Sequence, residues 1–375
     1  MPFIPTFGEV VPLLIVTFAV AMIVAVTLTP LVRRVMVRLD AIDAPDQRRV
    51  NKSPIPRGGG IAVAFAFLVV AVGVIVVNDR LRLVDVPFTI VPTDIAALLA
   101  GGALATVIGF LDDYFQLRAR WQLLGQLAVA VLAVAAGITI PFLNNPLGSG
   151  TILLEGPFAV GFTILWIVGM INSINFIDGL DGLSSGIALI AAVTLGLISL
   201  TVTVAQPFIA VLCFALAGSL LGFLRWNFHP ATIFIGTSGV MFVGYTLAVL
   251  AILGTAKVAV ALLVLGVPII DTFWIIVRRL VNGTSPFTPD RGHIHHRLLD
   301  LGLTHGQTVL VIYAMCVALA LLTFLLSGTG QLYAFMGLAL AFGLGLFLFT
   351  RDETGDALEA ETYERINRDP PAESA

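Results

Sequence analysis

The chain has 375 residues, of which 58% are hydrophobic and only 11% charged, with a mean hydropathy of +1.01. That combination excludes an ordinary soluble protein of two or three domains. The formal net charge of −3 is a sum of unlike parts: from Arg351 onward three arginines face eight carboxylates, a balance of −5, which leaves the remainder at +2.

The first element is an uncharged run, Val10–Val32, whose 23 residues exceed the ~20 needed to cross a bilayer. No basic residue precedes it, which argues against a cleavable secretion signal. A basic, turn-rich loop follows, from Asp43 to Gly60, in which Pro56 and the glycines would fix Arg57 at the membrane surface, within reach of anionic lipid heads or phosphates. The second span, Gly59–Val77, and the third, Ile95–Leu111, lead to Asp112-Asp113. Adjacent carboxylates repel, so a pair at a helix end suits a bound divalent cation or proton, although helix ends also finish in solvated acids.

Arg118 and Arg120 introduce the fourth span, Trp121–Ile138, and the fifth, Phe158–Ile171, runs into Asn172-Ser-Ile-Asn175-Phe-Ile-Asp178-Gly-Leu-Asp181-Gly182. Polar residues every three positions put Asn172, Asn175, Asp178 and Asp181 along one face or into one turn. Hard oxygen ligands in that number suit magnesium holding a pyrophosphate. The sixth and seventh spans, Leu183–Val204 and Phe208–Leu224, divide at Gln206-Pro207. Phe234 then precedes Gly236-Thr-Ser-Gly239, which opens the eighth span, Gly236–Ala256; glycines with hydroxyls at a helix start either form a phosphate-binding turn or simply begin a helix.

The ninth span, Val258–Val277, carries Asp271 in its cytoplasmic half. After it comes a polar segment, residues 282–297, ending His293-Ile-His295-His296-Arg297. No cysteine and no acidic partner of the HExxH kind accompanies these histidines, which favours an anion over a transition metal. The tenth and eleventh spans, Thr308–Leu326 and Leu332–Thr350, are separated by turn residues 327–331, and both cysteines, Cys213 and Cys316, fall inside apolar runs, which leaves no disulfide framework. The expected organisation is an all-α integral membrane domain of about eleven spans over residues 1–350 and an acidic, disordered tail over 351–375.

Following alternate loops, 17 of the 20 lysines and arginines fall on one face and only Arg80, Arg82 and Lys257 on the other. By the positive-inside rule the N-terminus is outside and the tail cytoplasmic, in a multi-pass protein of the inner (plasma) membrane. All five histidines and Asp112, Asp113, Asp178, Asp181 and Asp290 gather on the inner face. Such a gathering suits a site for a charged cytoplasmic substrate at a depth a lipid can reach.

Together, PIPRGGG, FLDD, NSINFIDGLDG, VPIIDTFW and SPFTPDRGHIHHRL resemble the polyprenyl-phosphate N-acetylhexosamine-1-phosphate transferase family (glycosyltransferase family 4) over nearly the whole membrane part. The HIHHR form is similar to the branch using UDP-N-acetylglucosamine or a related UDP-sugar. The resemblance implies that the phosphate of polyprenyl (undecaprenyl) phosphate attacks the β-phosphorus of a UDP-sugar, Mg2+ or Mn2+ spans the pyrophosphate, and UMP leaves. Asp112 would take a proton or sit near the metal, with Asp113 beside it; Asn175, Asp113 and Thr237 would hold the metal; Asp178 and Asp181 would shape the nucleotide site. Asn172 and Arg57 would join substrate binding, Phe234 would stack on uracil, and His293, His295, His296 and Arg297 would neutralise the transferring phosphates. The partners implied are these substrates, membrane lipid and no nucleic acid, with a homodimer left open.

Three positions depart from the family pattern. Thr237 stands where relatives usually have a magnesium-binding aspartate, Gln122 where a basic residue is more frequent, and Asn51 where histidine is common. A catalytically impaired member that binds nucleotide sugar or lipid phosphate is therefore the second reading. A transporter is the third, set against by the lack of charges near the midplane, since only Asp271 enters a span.

Overall fold

The computed structural model describes residues 4, 7–43, 54–81, 83, 91–145, 150–254, 258–281, 283, 292–326, 328–341 and 343. Asn51, Asp290, Arg291 and the acidic tail lie outside the described residues. Helices dominate: α1 (Phe7–Arg38), α2 (Gly60–Leu81), α3 (Pro92–Phe115), α4 (Ala119–Ala135), α5 (Gly156–Ile177), α6 (Leu183–Ser199), α7 (Pro207–Asn227), α8 (Gly236–Leu253), α9 (Val258–Val264), α10 (Gly266–Val281), α11 (Ile294–Asp300) and α12 (His305–Leu325). A further helix occupies 328–341. Two small antiparallel pairs complete the secondary structure, β1 (Ile42–Asp43) with β2 (Ile55–Pro56) and β3 (Phe142–Asn144) with β4 (Thr151–Leu153).

Local chemistry sets the helix starts. Proline stands in the first turn of α3, α5 and α7, where its missing N–H costs no hydrogen bond. Thr304 caps α12, accepting from the Gln307 N–H while Gln307 Oε1 accepts the Thr304 N–H at 2.9 Å. The chain leaves α3 through Gln116 in the left-handed region.

The two central helices are α7 and α8, the most enclosed of the long ones. Helix α1 runs along α7, α3 and α5 along α8, and α6 along α7. Gly218 and Gly222, one turn apart on α7, meet the backbone of α1 at Phe18 and Met22, and a side chain at either position would hold the helices apart.

Seven helices are long and apolar enough to cross a membrane, or eight if α9 and α10 are one broken span, and α4 and α6 are apolar but shorter. The chain is therefore an all-α, multi-pass membrane protein, with fewer full-length spans among the described residues than the eleven expected. The expected ninth span is not one helix: α9 and α10 meet at 81°. Pro268, in the first turn of α10, has no N–H for the carbonyl of Val264, so the helix cannot continue through it. The segment expected to be a polar loop also contains structure, since α11 begins directly after His293.

Candidate active site

A cavity of about 340 Å3 opens where the ends of α3, α5 and α7 and the α5–α6 turn converge with the starts of α8, α11 and α12. Eight of the expected site residues line it: Arg57, Asp113, Asn175, Asp178, Asp181, Phe234, Thr237 and His296. Asp112, Asn172, His293, His295 and Arg297 do not.

The last turn of α3 is joined to the first turn of α8 by carboxylates. Asp113 accepts the Thr237 N–H on Oδ1 at 2.7 Å and the Ser238 N–H on Oδ2 at 3.0 Å. The glycine-hydroxyl turn thus has its amides filled by the protein's own carboxylate, which corrects the phosphate-turn alternative. Helix starts leave N–H groups unpaired, and an ionised oxygen is their best acceptor. Asp112 faces the other way: Oδ1 accepts from the Leu117 N–H at 3.0 Å and Gln122 Nε2 at 2.9 Å, and Oδ2 accepts the Thr237 hydroxyl at 2.5 Å.

The end of α5 delivers the ladder only in part. Asn175, Asp178 and Asp181 reach the cavity, while Asn172, a turn deeper, donates to Gln126 Oε1 on α4 at 2.7 Å and to the Val168 carbonyl at 2.8 Å. Asn172 is therefore a helix-packing residue rather than a cavity-lining one. Asp178 accepts the Ser184 hydroxyl at 2.5 Å. Its carboxyl is pushed up to about 7, by burial first and by the charges of Asp113 and Asp181 besides, against the opposing pull of Ser184 and Arg57. Asp181 Oδ2 accepts from His229 Nδ1 at 2.7 Å and the Ala231 N–H at 3.0 Å.

Arg57 is held by the β1–β2 pair, its N–H on the Ala41 carbonyl at 2.9 Å and its guanidinium in an ion pair with Asp43. The following glycines run beside the strand leading into α8, with Gly59 N–H on the Phe234 carbonyl and Gly60 N–H on that of Ile235, each at 2.8 Å. These bonds bring Arg57 and Phe234 to one wall.

The histidine segment does have an acidic partner, which the sequence reading missed. Asp271 of α10 is fully buried, accepting from His293 Nδ1 at 2.7 Å and the Ile294 N–H at 2.9 Å. An ionised carboxylate only accepts, so Nδ1 carries the hydrogen. His293 is thus a support, stacked on His295 with centroids 5.6 Å apart. His295 is buried, and burial together with the nearby His296 and His293 charges holds its pKa well below 6.5. The ring is held neutral here and, unlike that of His296, lies outside the cavity's lining. Arg297 donates from Nε to the Gly292 carbonyl at 3.1 Å.

Asp43, Asn227 and His305 also line the cavity and were not anticipated as site residues. Asn227 accepts the Ser185 hydroxyl at 2.7 Å and donates to the Ile233 carbonyl at 3.1 Å. Its signal was the same as that of Asn175, an amide ending an apolar helix. As a donor set, Asp113, Asn175, Asp178 and Thr237 fit a hard divalent cation: all offer oxygens, and two are carboxylates.

The family model for glycosyl transferase family 4 matches residues 95–255, which contain most of this cavity's wall. A probable undecaprenyl-phosphate N-acetylglucosaminyl 1-phosphate transferase of Bacillus subtilis is 35% identical over 306 residues, 80% of this chain and 81% of that protein. The chain belongs to glycosyl transferase family 4. Within the family it is similar to the decaprenyl-phosphate N-acetylglucosaminephosphotransferase of Mycobacterium leprae, 37% identical over 304 residues, 74% of each chain. It is also similar to an undecaprenyl-phosphate alpha-N-acetylglucosaminyl 1-phosphate transferase of Yersinia pestis, at 27% over 305 residues, 77% of this chain and 78% of the other. This family 4 protein is accordingly a membrane transferase.

Proposed function

We propose that this family 4 transferase moves N-acetylglucosamine 1-phosphate from its UDP-sugar to polyprenyl phosphate, releasing UMP. The observation that carries the reading is the single cavity in which Asp113, Asn175, Asp178, Asp181, Arg57 and Phe234 meet at one end of the helix bundle. The names of the relatives supply the lipid and the sugar phosphate. In the reaction an oxygen of the lipid phosphate bonds to the β-phosphorus of the donor, and the bond from that phosphorus to the bridging oxygen breaks toward UMP. Arg57 is placed to balance phosphate charge, and the Phe234 ring offers a stacking face for uracil. Asp178, with its carboxyl at about 7, can hold or release a proton near neutrality. Asp113, Asn175 and Thr237 would hold Mg2+, whose contribution is to neutralise the pyrophosphate.

Charge supports an orientation: if eleven segments cross, alternate loops of the sequence assign 17 of the 20 basic residues to the face that carries Asp113 and Asp178, so by the positive-inside rule this reading has the site cytoplasmic and the N-terminus outside. Helices α4 and α6, at 17 residues each, then span roughly 26 Å, close to the bilayer's hydrocarbon core.

The test is Mg2+-dependent UMP release and lipid-linked product from purified protein, polyprenyl phosphate and a panel of UDP-sugars, with Asp178→Asn inactive. Binding of the nucleotide sugar without product across the panel would favour the second reading, a non-catalytic binder. Its motivating observation is Thr237, a neutral hydroxyl turned to Asp112 where relatives carry a metal-binding acid. A large gain of turnover in Thr237→Asp would support impairment, and no gain would support a site rebuilt around threonine.

A further inference from the structure

We propose that Asp181, His229 and His305 form a binding site for a divalent transition-metal ion of the Zn2+ type at the edge of the cavity, distinct from the oxygen-lined region around Asp113 and Asn175. One ligand atom from each of the three lies within 4.8 Å of the others. A tetrahedral site with bonds of about 2.1 Å separates its ligands by roughly 3.4 Å, so the site needs only small side-chain adjustments, the His229–Asp181 pair at 2.7 Å opening slightly.

The state of each residue suits that role. The His229 and His305 rings stack, with centroids 4.1 Å apart and planes 20° from parallel. Two protonated rings so close would repel, so at least one is neutral and has a lone pair to give. His229 Nδ1 already lies 2.7 Å from Asp181 Oδ2, so this nitrogen, its hydrogen released to solvent on metal binding, is the one that can share an ion with the Asp181 carboxylate. The described hydrogen bonds to Asp181 both end on Oδ2, so Oδ1 is the oxygen on offer. His305 is the unusual member. Its ring borders the cavity with both nitrogens closed to solvent and no side-chain partner for either among the described residues, the backbone of Asp181 being the polar group beside it. A ring nitrogen without a side-chain partner next to Asp181 and His229 is free to turn its lone pair to an ion they share.

Ligand type decides the metal. Mg2+ prefers oxygen and keeps its waters, whereas two imidazoles with one carboxylate select Zn2+, Co2+ or Ni2+. Three protein ligands leave a coordination position open. Asp181 and His305 both face the cavity, so that position is within reach of a phosphate oxygen there. The three residues come from the α5–α6 turn, the α7–α8 connection and the start of α12, and no local sequence spacing reveals them.

The experiment uses the full chain, purified in detergent, stripped by chelator and titrated with Co2+ as a spectroscopic probe, followed by competition with Zn2+. The expected result is one Co2+ per chain with visible d–d bands of a nitrogen-ligated ion, displaced by Zn2+ and not by excess Mg2+. His229→Gln and His305→Gln should each weaken binding by at least ~10-fold, and His296→Gln should not. Wild-type protein without these bands would overturn the site. So would equal binding in both variants, or loss confined to His296→Gln. Melting of each variant without metal identifies any that fails to fold; the wild-type titration decides the matter even then.

Discussion

Asp271→Asn is the sharpest probe of how the histidine segment is held. The substitution keeps the shape of the side chain and one carbonyl acceptor, but it removes the charge and leaves an NH2 facing either His293 Nδ1, at 2.7 Å, or the Ile294 N–H, at 2.9 Å. One charge-assisted hydrogen bond lost in a fully buried place is worth about 1.5–3 kcal/mol. At 1.36 kcal/mol per tenfold, local opening of the segment becomes roughly ten- to a hundredfold more frequent. Hydrogen exchange read by mass spectrometry on the peptide over 292–300 measures this directly, because the Ile294 amide is one of the two groups released. His296, two residues along, loses its place at the cavity, so turnover should fall as well. Unchanged exchange in this peptide, or an equal rise in every helix, would refute the claim that Asp271 anchors the segment.

Three further outcomes are expected. Asp113→Asn should cost about 1–2 kcal/mol of thermal stability, because an amide can accept only one of the two α8 N–H groups, and it should abolish product formation. Gly60→Ala should destabilise by about 1–3 kcal/mol or prevent accumulation, since its Cβ would meet the Gly239 backbone; Gly73→Ala, with nothing within 4 Å, should be silent in the same melting assay. Below pH 6.5 the unfolded chain takes up the proton that buried His295 refuses, whereas Asp178, raised to about 7, titrates with the opposite sign; the His295 contribution is therefore read as a difference, and as pH falls through this range His295→Gln should gain melting temperature relative to wild type.

Much of the site was legible because polar groups are costly in an apolar chain. The ladder from Asn175 to Asp181 stood out at the end of a span, and it reaches the cavity. Its first member did not, since periodicity identifies a face of one helix but not the neighbour that face meets; Asn172 found Gln126 of α4. The same limit hid Asp271 behind His293, and Asp113 behind the first turn of α8, because each pair joins residues far apart in sequence. The break between α9 and α10 was masked by the continuous apolar run, although Pro268 was its visible cause.

Two departures from the family pattern, distant in sequence, meet on one atom group. Thr237 replaces an expected acid and Gln122 an expected base, and both donate to the Asp112 carboxylate, at 2.5 Å and 2.9 Å. Swapping an acid and a base for two neutral donors leaves the charge around Asp112 the same while keeping it hydrogen-bonded. Thr237→Asp alone would set a third carboxylate against Asp112 and Asp113, a repulsion of up to about 4 kcal/mol at 4 Å in a medium of effective dielectric ~20. Gln122→Lys alone would add an unmatched cation, and in the double variant the new charges offset each other. A double-mutant cycle on thermal stability should therefore show a favourable coupling above about 1 kcal/mol, with each single variant below wild type. Additive effects would mean that the two replacements are unrelated, and Thr237 would then have to be explained by the cavity it lines rather than by the carboxylate it holds.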